Sequence, residues 1–177
     1  MRKFLSMFLV LGMMFALVGC NEGEASKKED VEEIENDGSD TKKEDEKVYG
    51  IGEVIEYAED DDVKYTFVIN SVSLSEERNQ FEESNPAQVV KINYSYENVN
   101  DDEDVYISSM NFTVVDGGGN VCDTYPNGGE YPQAAPKGAK SSGDEFYGLK
   151  ETSTSIKLRF KPAMFGGPEV QFELPIQ

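Results

Sequence analysis

The 177-residue chain has no histidine and no tryptophan, and its cysteines are two, Cys20 and Cys122. Without histidine it lacks the usual general base near neutral pH and the commonest metal ligand, and every Ser-His or Cys-His nucleophile arrangement is excluded. Catalysis would have to run on carboxylates, tyrosine or lysine, so the expectation is a protein that is not an enzyme and carries no cofactor. Basic residues are also scarce: 16 Lys and Arg face 35 Asp and Glu, a formal net charge of −19. A polyanion of this size is repelled by phosphate backbones, which removes nucleic acid from the expected partners. Long apolar runs are confined to one place, residues 4–18. That run falls short of the roughly 20 residues that span a bilayer.

What is present begins with that run. Arg2 and Lys3 precede it, and Leu17-Val18-Gly19-Cys20 ends it with a small residue and a cysteine. This pattern resembles the lipobox of bacterial lipoproteins. The resemblance implies cleavage after Gly19, a diacylglycerol thioether on Cys20, and a place on the extracytoplasmic face of the cell membrane. An ordinary cleaved signal peptide is the alternative. With Cys20 committed to lipid, Cys122 has no partner for a disulfide and the fold must stand on its core. Cys122 is expected to be a small buried strand residue, with a reactive or intermolecular thiol as the other reading.

Residues 21–47 hold 12 Asp and Glu and 5 Lys, and only Ala25, Val31 and Ile34 are apolar. Such a segment cannot bury enough surface to offset its ordering entropy, so residues 20–47 read as the lipidated cysteine and a disordered tether. As a coil the tether reaches on the order of 30 Å.

From residue 48 to 177 the pattern changes to period two between Gly, Asn, Asp and Pro clusters. A first strand is expected over 52–57, then an acidic turn at 59–62. Val63, Tyr65, Phe67 and Ile69 share one face, but Val72 and Leu74 fall on the other parity, which requires a bulge or a crossing between sheets. Residues 76–86 are polar and end in Asn85-Pro86, a loop. Val90, Ile92, Tyr94 and Tyr96 alternate with Lys91, Asn93, Ser95 and Glu97, giving a strand with one wet face and both tyrosines in the core. Val105 and Ile107 mark a short strand. Phe112 and Val114 belong to one that enters the glycine turn at 116–120, after which 121–125 is expected to pair back on 111–115. Residues 126–139 form a Pro/Gly-rich loop, and three strands follow at 144–149, 155–161 and 169–174. No helical stripe with caps is found. The sum is an all-β chain of about 7–9 strands, an antiparallel immunoglobulin-like β-sandwich, after the leader and tether.

The order of elements resembles the immunoglobulin-like, telokin-like domains of Gram-positive lipoproteins related to immunoprotective extracellular antigens. The matching pieces are Gly50-Ile51-Gly52-Glu53, the strand 89–98, Asn111-Phe112-Thr113-Val114-Val115-Asp116, Pro136-Lys137-Gly138 and Ile156-Lys157-Leu158-Arg159-Phe160. The resemblance implies the sandwich and carries over no active site.

Three acidic clusters are candidates for Ca²⁺, which takes six to eight oxygens. They are Asp60, Asp61 and Asp62; Asp101, Asp102 and Asp104; and Asp116 with Asn120 and Asp123. None has the spacing of an EF-hand, and solvated turns are the plainer reading. Tyr125 and Tyr131 sit among Pro126, Pro132 and Pro136, and exposed loop aromatics suit recognition of protein or glycan. The expected function is therefore a membrane-anchored, monomeric binding or scaffolding domain whose partner is an envelope protein or wall glycan. The alternative is a carboxylate-dependent wall hydrolase, or an accessory subunit of an envelope enzyme or transporter.

Overall fold

Nine strands carry the alternating pattern: β1 (Val48–Tyr49), β2 (Val54–Glu59), β3 (Asp62–Leu74), β4 (Gln88–Asn98), β5 (Phe112–Val115), β6 (Asp123–Thr124), β7 (Lys140–Leu149), β8 (Ser155–Phe160) and β9 (Val170–Pro175). They belong to a computed structural model that describes residues 47–163 and 168–177. The lipobox, Cys20 and residues 21–46 of the expected tether lie outside the described residues. Helical backbone among the described residues is one 3₁₀ turn, Ser109–Asn111, capped by Ser108.

The strands form two sheets, ordered β1-β9-β8-β5 and β2-β3-β4-β7-β6. The all-β sandwich is as the alternation predicts, and every pairing is antiparallel except β1 on β9, which is parallel. Between the sheets lies an aromatic core. Phe67 of β3 stacks on Phe160 of β8 with centroids 4.2 Å apart, and Phe112 stands edge-on to Tyr94 at 5.1 Å. These contacts cross from one sheet to the other, and burying each large side chain contributes about 1.5–3 kcal/mol. Among the described residues Cys122 is a free thiol, so this core holds the sheets together without a disulfide there.

The parity change in β3 is a bulge. Its pairing with β4 shifts register between Ile69 and Ser71, so Ile69 and Val72 both point inward and β3 stays in one sheet. Asn70, the extra residue, is held on the outer face by hydrogen bonds with Asn93 and Ser95.

Two expectations fail. Residues 121–125 do not return along β5: Val121 makes one bridge to Val115, Cys122 N–H donates to Val114 O, and then β6 crosses to pair with β7 in the other sheet. Tyr125, which follows β6, is buried on that sheet against Val89 and Phe146. Nor do Val105 and Ile107 make a strand; Val105 bridges Ala135 and both side chains are buried beneath the loop.

Candidate functional site

On the outer face of the five-stranded sheet, β4 and β7 present even-numbered β7 residues opposite odd-numbered β4 residues, with Phe146 across from Lys91 and Asp144 across from Asn93. Two loops, 75–87 and 125–139, rise over this face and flank an open cleft of about 760 Å³. That volume lies within the roughly 300–1,000 Å³ of small-molecule sites. The first loop lines it with Arg78, Asn79, Gln80 and Phe81, the second with residues from Tyr125 to Pro132, and β7 with Asp144, Glu145 and Phe146.

The loops are clasped to each other. Asn79 N–H donates to Tyr125 Oη at 3.0 Å, Asn79 Nδ2 donates to Pro126 O at 2.8 Å, and Asn127 Nδ2 donates to Ser75 Oγ at 3.3 Å. Asn79 Oδ1 also accepts Phe81 N–H at 2.9 Å, which fixes the backbone carrying Phe81. Two rings are left in solvent, Phe81 at 84% and Tyr131 at 75% exposure, one from each loop.

Tyr131 is therefore exposed as expected of a recognition aromatic, and Tyr125 is not. Tyr125 is 5% exposed and packs with Val89 and Phe146 as the floor of the cleft. Beside it, Gly148 lets Pro86 of the first loop lie close on β7: a Cβ there would stand 3.0 Å from the Pro86 ring. Tyr94 and Tyr96 are in the core, with hydroxyls donating to Ile107 O at 2.9 Å and Gln133 O at 2.7 Å.

The acids lining the cleft do not converge. Asp144 and Glu145 are neighbours on one strand and so face opposite sides of the sheet. Asp144 accepts from Asn93 Nδ2 and from Glu130 N–H. Glu145 accepts Ser109 N–H at 2.9 Å, and burial raises its pKa against those bonds.

The acidic turns are explained by local chemistry. Asp60 and Asp61 have φ of 50° and 65° and link the paired residues Glu59 and Asp62. Two consecutive left-handed residues are the pattern of a type I′ hairpin turn, for which Asp is among the tolerated side chains. Asp62 accepts from Lys64 and Asn100, and these bonds lower its pKa. The second turn is organised by buried Asn98, which donates to Glu103 O and Ala135 O and accepts from Asp101 N–H. Asp102 is lowered by its bond to Lys137, and Asp104 is exposed. Asp116 is 3% exposed and accepts from the N–H groups of Gly118, Asn120 and Glu151. Among the described residues, no three acidic or cysteine side chains form a group that could hold a metal ion. Cys122 is buried, and burial pushes its thiol up to about 11, away from the reactive thiolate.

The first wall of the cleft escapes sequence reading. Residues 76–86 look like a polar insertion, and the available signal is Phe81, a lone aromatic in that stretch.

Residues 53–170 match the model of a family described as a domain of unknown function, DUF4352. The chain belongs to this family. Among solved structures, this DUF4352 chain is similar to MPT63, a secreted protein from Mycobacterium tuberculosis, at 11% identity and a TM-score of 0.53, over 73% of this chain and 97% of that one. It is also similar to an uncharacterized β-sandwich protein from Clostridium difficile 630, at 15% identity and a TM-score of 0.44, over 75% and 97% of the two chains. A search of the curated proteins gives no match. The MPT63 likeness supports the sandwich fold and nothing finer. Among the described residues no helix is long and apolar enough to cross a membrane.

Proposed function

We propose that this DUF4352 chain is a lipid-anchored, non-catalytic binding module on the extracytoplasmic face of the membrane, and that the cleft between loops 75–87 and 125–139 is its recognition surface. One observation carries the second half: two loops far apart in sequence are hydrogen-bonded into a preformed cleft that leaves Phe81 and Tyr131 in solvent. Exposed large aromatics are the residues that dominate binding hot spots, and a prebuilt cleft avoids the ordering cost of loop closure. The leader ending in Leu17-Val18-Gly19-Cys20 supports the first half, and the fold shared with a secreted protein agrees with it. The hydrolase alternative needs two converging acids, which Asp144 and Glu145 do not supply.

The test has two arms in cells producing the full chain. Labelling with an alkynyl fatty acid is expected to mark the wild type and miss Cys20→Ala; equal labelling of both would end the lipoprotein reading. A photo-crosslinking residue at position 131 is expected to capture a product that the same residue at position 157, on the outer face of the other sheet, does not. Adding Phe81→Ala is expected to reduce that product. Identical capture at both positions would remove the cleft from the proposal.

A further inference from the structure

We infer that the ligand of the cleft is an uncharged glycan, its sugar rings stacking on Phe81 and Tyr131 and its hydroxyls bonding the planar side chains between them. This rests on the cleft reading above and assigns its ligand class.

Charge is the first discriminant. The chain carries −19, which opposes an anionic ligand. A cationic ligand is best held by converging carboxylates, which the cleft does not offer: Glu145 faces the other side of the sheet, where it accepts Ser109 N–H, and Asp144 stands by itself with a donor from Asn93 or Glu130 on each oxygen. Arg78, held by Ser75 O at 2.6 Å, adds a positive charge to the wall and opposes a cation further.

Backbone pairing is the second. An extended peptide binds most directly by adding a strand to an open sheet edge. Here the edge of β7 that borders the cleft is already paired: β6 lies along Tyr147 and Gly148, Tyr125 N–H donates to Phe146 O at 2.7 Å, and Asp144 N–H donates to Glu130 O at 2.8 Å. A peptide finds no ladder to join.

What is left is sugar chemistry. The CH-rich face of a pyranose is apolar and flat enough to lie on an aromatic ring, and Phe81 and Tyr131 are exposed and seated on clasped loops. The sugar's hydroxyls both donate and accept, and they match amide and guanidinium edges. Gln80 is an exposed residue of the cleft lining, and Arg78 uses one nitrogen on the backbone, leaving further N–H groups of its fork for a ligand.

Calorimetric titration of the detergent-solubilised full chain tests this with neutral tetrasaccharides of β-1,4-linked N-acetylglucosamine, β-1,4-linked glucose and α-1,4-linked glucose. Tetralysine and an oligoproline peptide serve as probes of the other classes. At least one tetrasaccharide is expected to saturate with an affinity that is the same at low and high salt, because no charge pair forms. Phe81→Ala and Tyr131→Ala are each expected to weaken it by about tenfold or more without lowering the melting temperature, since neither ring is buried. Failure of all three tetrasaccharides overturns the glycan assignment. Binding of tetralysine or oligoproline that Phe81→Ala weakens also overturns it, and leaves the cleft reading standing. Tetrasaccharide binding unaffected by either substitution overturns both.

Discussion

Tyr94 and Tyr147 face the same core from adjacent strands, and they differ in one atom's surroundings. Both are nearly inaccessible, and burial raises the pKa of both phenols, so each is neutral at any working pH. The Tyr94 hydroxyl donates to Ile107 O, tying β4 to the segment that precedes the 3₁₀ turn. The Tyr147 hydroxyl is buried with no hydrogen-bond partner among the described residues. An unpaired buried hydroxyl costs free energy that a CH does not, whereas removing a donor strands its acceptor. Tyr94→Phe is therefore expected to destabilise by about 1–2 kcal/mol, and Tyr147→Phe to be neutral or stabilising by up to about 1 kcal/mol. Urea unfolding of the two variants measures the difference. Equal losses in both would show that the Tyr147 hydroxyl has a partner in solution.

At the level of the element, the β2–β3 hairpin turns on Asp60 and Asp61, both left-handed. A non-glycine residue in that region costs about 1–2 kcal/mol, and Asp-Gly is a preferred type I′ pair. Asp61→Gly is expected to raise stability by about 0.5–1 kcal/mol, less than the full strain because glycine also loosens the unfolded chain. If Ca²⁺ addition raised the melting temperature of the wild type and not of Asp61→Gly, the turn would be a cation site after all. Such elements show which parts of the fold are legible in sequence. The alternation of β4 and the parity change at Ile69 to Val72 are local, and both read correctly. The parallel pairing of β1 involves two residues and leaves no pattern. Tyr125 looks like a loop aromatic because its setting depends on Asn79, 46 residues earlier, and on Val89 and Phe146 of the strands beneath it. For the same reason the cleft is half visible in the sequence: Tyr131 stands out in its Pro/Gly-rich loop, and the wall that carries Phe81 does not.

Across the whole molecule, acidic charge governs the response to salt and pH. Residues 48–177 alone carry 23 acids and 9 bases, a net −14. Surface ion pairs such as Lys140 with Glu97 at 2.8 Å contribute at most about 1 kcal/mol each. Self-repulsion therefore opposes folding, and salt relieves it: the melting temperature is expected to climb steadily toward about 1 M NaCl, where the Debye length is about 3 Å. Acid acts in two directions. Protonating exposed carboxylates also reduces repulsion, but it removes the bonds at Asp116. Burial there favours the neutral acid and is outweighed by hydrogen bonds from Asn120, Glu151 and Gly118, so its folded-state pKa lies below the usual value. A depressed carboxylate stabilises the fold above its unfolded pKa of about 3.9, and that contribution is lost as pH falls through the folded value. Asp116→Asn keeps the shape and replaces one acceptor oxygen by a donor among donors, so it is expected to cost about 1–3 kcal/mol at pH 7. Melting curves of wild type and variant at high salt, where repulsion is screened, are expected to stay apart down to about pH 4 and to converge below it. Curves that ran parallel into strong acid would assign the acid sensitivity to carboxylates other than Asp116.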